Sequence, residues 1–157
     1  MKKLEWCFKI KDGIRIKKPS DEISHSYLEL AKSSLKGAET ILRQNLLWAT
    51  VMVYYAEYYA LYSFLAKIGV KCENHFCSIL LVKFLLGEEK VKLVEEHRQK
   101  RIDAQYYLKI DQEKEVENML REAKFFVTEF EEFVTNLNEK EIEEFRQKID
   151  KIKQDLI

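Results

Sequence analysis

LLWATVMVYYAEYYALYSFLAKI, Leu46 to Ile68, decides the fold class. The segment is apolar nearly all round. A helix with no polar face is the buried central element of a bundle. Its tyrosines and the lone Glu57 make it too polar to span a membrane. No run of ~18 apolar residues occurs elsewhere, so no membrane association is expected.

Working outward, Asp21 to Gln44 places Ile23, Tyr27, Leu30, Ala31, Leu35, Ala38, Ile41 and Leu42 at helical spacing. Ser20 or Asp21 suits its N-cap. Gly69 suits the stop of the central helix. A third helix is expected over Asn74 to Leu86, capped by Asn74 and ended by Gly87. A fourth follows over Glu88 to Ile110. A fifth starts at Asp111, with Val116, Met119, Leu120, Ala123, Phe126, Val127, Phe130, Phe133, Val134 and Leu137 along its seam. Asn136-Leu137-Asn138 reads as a break. The last helix carries a narrow stripe, Ile142, Phe145, Ile149, Ile152 and Leu156. A stripe that narrow suits an appended helix on one neighbour or on a second chain.

The chain has 157 residues but only four Gly and one Pro, too few turn residues for a sandwich or barrel. The class is all-α. The expected organisation is an N-terminal arm over 1–19, a bundle of four to five core helices over 20–137, and an extra C-terminal helix over 138–157. Two readings of the arm stay open. WCFKIKDGIRI alternates around Asp12-Gly13 as a hairpin does, and LEWCFKIK fits a short helix stopped by Gly13.

Net charge is zero, with 27 basic and 27 acidic residues. Residues 1–18 carry seven basic and two acidic side chains, and residues 111–157 carry eight and fourteen. A neutral chain is no general polyanion binder, although a local basic groove is compatible with it. Three cysteines, Cys7, Cys72 and Cys77, without an apolar leader, point to free thiols and a reducing, cytoplasmic compartment. Cys72, His75 and Cys77 lie close together, but their spacing matches no common zinc site and no metal or other cofactor is expected. His75 is expected to hydrogen-bond locally. There is no glycine-rich phosphate loop, nucleophile elbow or His-Glu-x-x-His motif.

The candidate site lies in EEHRQKRIDAQYYL, Glu95 to Leu108. Val91, Val94, Arg98, Arg101, Gln105 and Leu108 share one helical stripe, apolar at both ends and polar in the middle. An unpaired buried guanidinium is costly. Arg98 and Arg101 therefore need partners. One reading is an ion network with Glu57, Glu95 or Asp103. The other is a groove for phosphate, for which arginine donors are suited. Gln105, Tyr106, Glu57 and Tyr58 complete the candidate groove. His97 reads as a surface histidine, or as a general acid/base beside the two arginines. Tyr54, Tyr58 and Tyr62 share one face of the central helix. Their hydroxyls need partners in the core or in the groove.

SYLELAKSSLKGAETIL, ATVMVYYAEYYALYSFLAKIGVKCENHFCSILLVKFLL and KRIDAQYYL together resemble the HEPN domain family, most closely its small stand-alone prokaryotic and archaeal branch. The match consists of a helix ending in AxxxL, a tyrosine-rich second helix, Gly69 and His75 about the next turn, and Arg101, Ala104 and Tyr106 on the fourth helix. It covers about residues 20–136. The resemblance implies an up-and-down helical bundle, usually a homodimer, with the fourth helix lining a cleft. It implies nucleotide or RNA as ligand, or a minimal nucleotidyltransferase partner in a toxin–antitoxin-like system. Many family members are metal-independent RNases whose motif is an Arg and a His separated by four to six residues. Those positions here hold Asp103, Ala104 and Gln105 after Arg98, and Tyr106, Tyr107 and Leu108 after Arg101. None is His. The resemblance thus implies a non-catalytic binding protein. An RNase with a rearranged site built on His97, Arg98 and Arg101, and a protein-interaction scaffold, are the alternatives.

Overall fold

Local signals set most helix ends. In the computed structural model, which describes residues 1–156, Ser20 Oγ accepts from the Ile23 amide at 3.1 Å and starts α2, Asp21–Ile41. Asn45 Oδ1 accepts from the Trp48 amide at 3.1 Å and starts α3, Leu46–Lys67. Asn74 Oδ1 does the same for Cys77 at 3.1 Å and opens α4, His75–Leu86. Each cap satisfies an amide that the first helical turn leaves free. Gly87, at φ 100°, ends α4. The next segment begins as a 3-10 turn, Glu88–Lys90, so α5 is shorter than expected, Lys92–Tyr107. Leu108 closes it in the left-handed conformation at φ 55°. α6, Glu113–Thr135, and α7, Glu139–Leu156, meet at the expected break. There Asn138 and Glu141 cap each other reciprocally, at 2.9 and 3.2 Å.

The result is an all-α bundle around α3, which packs against α2, α4, α5 and α6. Tyr54, Phe64, Leu61 and Leu65 of α3 are fully buried. Removing such side chains from water stabilises the fold by roughly 1.5–3 kcal/mol apiece. Phe64 also meets Phe145 of α7 edge-on at 5.1 Å, and Ile149 of α7 is fully buried. The C-terminal stripe is therefore covered within the chain. No helix among the described residues is long and apolar enough to cross a membrane.

The arm follows the helix reading of its sequence, and no hairpin forms around Asp12-Gly13. Lys2–Lys9 is a helix, α1, and Arg15–Ile16 is a short strand, β1. β1 pairs not within the arm but antiparallel to β2, Val70–Lys71, with Arg15 opposite Lys71. Gly69 sits at φ 82° against the Lys17 carbonyl, a place with no room for a side chain. Arg146 of α7 donates to the Lys17 and Ile68 carbonyls at 3.0 and 2.8 Å and ties this corner to the C-terminal helix.

The expectation of three free thiols is overturned. Cys7 of α1 and Cys77 of α4 form a disulfide across 70 residues, and Cys72 alone is free and buried. Leu4 and Cys7 of α1 lie in the main core, which holds the two sulfurs together. With the pair joined, the inference from free thiols to a reducing compartment loses its premise.

Candidate functional site

α5 lies across α3 and presents two polar sets on the flanks of its inner face. Successive helical residues are ~100° apart, so neighbours His97 and Arg98 point to different flanks. His97 faces α3 and α6. Its Nδ1 is 2.8 and 2.9 Å from the two Glu57 carboxyl oxygens, and Nε2 lies 4.0 Å from Glu122. Both partners are sealed, with His97 4% and Glu57 0% exposed. Burial pushes the Glu57 carboxyl well above its ordinary range and the His97 imidazole down to about 4. The pair is neutral overall. His97 is thus not a surface residue, and Glu57 pairs with His97 rather than with an arginine.

Arg98 and Arg101 occupy the other flank. Neither makes an ion pair among the described residues, so the expected partners Glu57, Glu95 and Asp103 are not used. Arg101 is 9% exposed. Its guanidinium lies 5.0 Å from the Tyr54 ring centre and 5.9 Å from that of Tyr55. It donates to Gln105 Oε1 at 3.2 Å. The aromatic faces hold the cation without neutralising it. Arg98 lies beside the Tyr54 hydroxyl and lines a cleft of about 310 Å³ between α1, α4 and α5, with Lys3, Phe76, Lys83 and Glu95. The Nε atoms of both arginines are buried with no hydrogen-bond partner. A buried donor left unmade costs ~1–3 kcal/mol. Two such donors, on two uncompensated cations, form a site suited to an anion.

His75, in the first turn of α4, belongs to this cluster and not to a local turn. Its Nδ1 is 2.8 Å from the Tyr54 hydroxyl, and its ring stacks on Tyr58 at 3.9 Å and 15°. Burial lowers the imidazole to about 4, and the Arg101 and Arg98 charges push the same way. Burial also raises the Tyr54 hydroxyl, which stays protonated. A neutral His75 shares one hydrogen bond with the Tyr54 hydroxyl through Nδ1, and its Nε2 has no partner among the described residues.

Of the residues singled out in the sequence, Arg98, Arg101 and Gln105 come together. Tyr58 lies behind His75 and donates to Ser78 Oγ at 3.1 Å. Glu57 is on the sealed flank. Tyr106 is 66% exposed beyond the site, at the end of α5. Tyr55, Lys3 and Phe76 were not placed at the site by the sequence, and His75 was read only as a locally hydrogen-bonded residue. The one available signal was the Asn74 cap, which fixes His75 and Phe76 in a first helical turn but says nothing of what that turn faces. Cys72, His75 and Cys77 do not converge, because the disulfide takes Cys77 and Tyr54 takes His75. No group of three metal-ligating side chains forms among the described residues. No family model, curated protein or solved structure matches the chain.

Proposed function

We propose that this chain is a non-catalytic, HEPN-like homodimeric protein that binds the phosphate of a nucleotide or RNA through Arg98 and Arg101. The observation that carries the reading is the pair of buried arginine Nε donors without partners, on two cations that make no ion pair among the described residues. A phosphate against the two guanidinium groups supplies the counter-charge that both lack. Gln105 holds Arg101 in place, and His75 Nε2, without a partner among the described residues, adds a neutral polar group. His97 is spent on Glu57, so the geometry gives no support to cleavage through His97. The test is calorimetric titration with adenosine monophosphate. Arg101→Glu should weaken binding at least roughly tenfold while helicity is retained, given the strength of charged hydrogen bonds. Unchanged affinity overturns the reading.

A second reading is favoured by one observation. Tyr106, Tyr107 and Leu108 stand 66, 67 and 74% exposed in a row just past the site. Exposed aromatic and aliphatic groups of this kind suit a protein partner. The resemblance suggests a minimal nucleotidyltransferase. Tyr107→Asp should then abolish partner capture and leave phosphate binding unchanged. Capture that survives the substitution removes this surface from consideration.

A further inference from the structure

The tyrosines of α3 continue beyond the arginine cluster as an unbroken series. From Arg101 the next ring is Tyr55, at 5.9 Å. Tyr55 lies 5.5 Å from Tyr59, and Tyr59 lies 5.9 Å from Tyr27 of α2. Tyr27 in turn meets Tyr62 at 4.7 Å. Tyr27, Tyr55 and Tyr59 are only half-buried and keep accessible ring surface. At the far end, Tyr27 and Tyr62 line a cavity of about 270 Å³ together with Lys17, Lys18 and Lys71. No acidic side chain lines it. Lys17 and Lys18 make no ion pair among the described residues, while Lys71 reaches Glu73 at 3.4 Å. Asp21, next in sequence to the cavity's Ser20, is engaged by Lys67 at 2.7 Å.

This face therefore has cations at both ends and aromatic rings between them. From Tyr55 to Tyr62 the helix rises ~10 Å, the span of about three stacked nucleotides. A mononucleotide would occupy only the arginine end and leave the lysine end unused. Cationic contacts along a backbone, interleaved with aromatic platforms for the bases, are how single strands are held without sequence readout. Charge complementarity selects a polyanion for this apolar strip.

We infer that the α2–α3 face binds single-stranded nucleic acid, with one phosphate at Arg98 and Arg101, a second at Lys17 and Lys18, and bases against Tyr55, Tyr59 and Tyr27. The inference rests on the phosphate reading of the arginines and extends it from a mononucleotide site to a track.

The experiment is fluorescence anisotropy with a labelled oligouridylate of about six nucleotides, within the usual range of site sizes. It is run at graded salt, with adenosine monophosphate titrated in parallel. Lys17→Gln with Lys18→Gln changes only exposed side chains. It should weaken the oligonucleotide about tenfold and reduce the slope of log affinity against log salt by ~0.7, the share of one phosphate on a single strand. Mononucleotide binding should not change. Tyr59→Ala should weaken the oligonucleotide by roughly fivefold or more, again sparing the mononucleotide. If the lysine variant keeps both affinity and slope while Arg101→Glu still loses the mononucleotide, the track is wrong and the phosphate site stands. If wild-type protein binds neither probe, both readings fall. If the oligonucleotide does not bind and sedimentation shows a dimer that Tyr59→Ala dissociates, a second copy covers this face and the track is overturned.

Discussion

The two flanks of α5 handle the same physical difficulty in opposite ways. His97 and Arg98 are adjacent, and each carries a polar head group into the interior. On one flank, Glu57 answers His97 at 2.8 Å, and the pair closes on itself with no net charge. On the other, Arg98 and Arg101 rest against tyrosine rings and a neutral His75, with positive charge uncompensated and two donors unmade. A closed polar pair fixes how one helix sits on another. The open cationic cluster leaves its charge and two of its donors unmatched within the chain. The contrast shows why burial alone does not identify a site. What matters is whether the buried group has found its partner within the fold.

The comparison breaks most readily on the sealed flank. Glu57→Ala leaves an unpaired imidazole and a cavity in the core, and should cost ~3–5 kcal/mol by denaturant unfolding. Replacing both partners, with Glu57→Leu and His97→Leu together, should restore most of that loss, since a buried polar pair contributes little net stability over an apolar one. If the double variant is no better than the single, the pair does more than satisfy itself.

Reduction of the Cys7–Cys77 disulfide comes next. It opens a closed loop of 70 residues and should lower stability by roughly 2–4 kcal/mol. Its local effect should favour the open flank, because α1 and the first turn of α4 carry Lys3 and Phe76 into the Arg98 cleft. Hydrogen exchange on reduction should rise over α1 and the start of α4 before it rises at Glu57. Uniform exchange across the bundle would contradict that division.

Acid sharpens the comparison with a smaller effect. His75 titrates at about 4 in the fold against an ordinary 6.5, so the unfolded chain binds more protons between those values. Stability from this group is complete above pH 6.5 and is lost as pH falls toward 4, on the order of 1–3 kcal/mol in all. His97 contributes in the same direction. The two separate when phosphate is added. An anion against Arg98 and Arg101 should raise the His75 titration seen by NMR and leave that of His97 in place. Equal movement of both would mean that the anion does not sit on the open flank.

The elements themselves were largely legible. Helical seams, the caps at Ser20 and Asn74, and the stops at Gly69, Gly87 and the Asn136–Asn138 break are local signals acting within a turn or two of chain. They set the all-α class and placed most ends correctly. The polar interruption of α5 was equally visible, and Arg98, Arg101 and Gln105 do lie together. What the sequence left open was every polar pairing between elements. Glu57 finds His97 across 40 residues, Tyr54 finds His75 across 21, and Cys7 finds Cys77 across 70. Each depends on how a helix is rotated about its axis, where one position changes direction by ~100°. Periodicity showed that α5 had a buried side. Only packing against α3, α4 and α6 decided that His97 would be sealed and Arg98 left open, because that choice depends on which neighbour supplies a carboxylate and which supplies an aromatic ring.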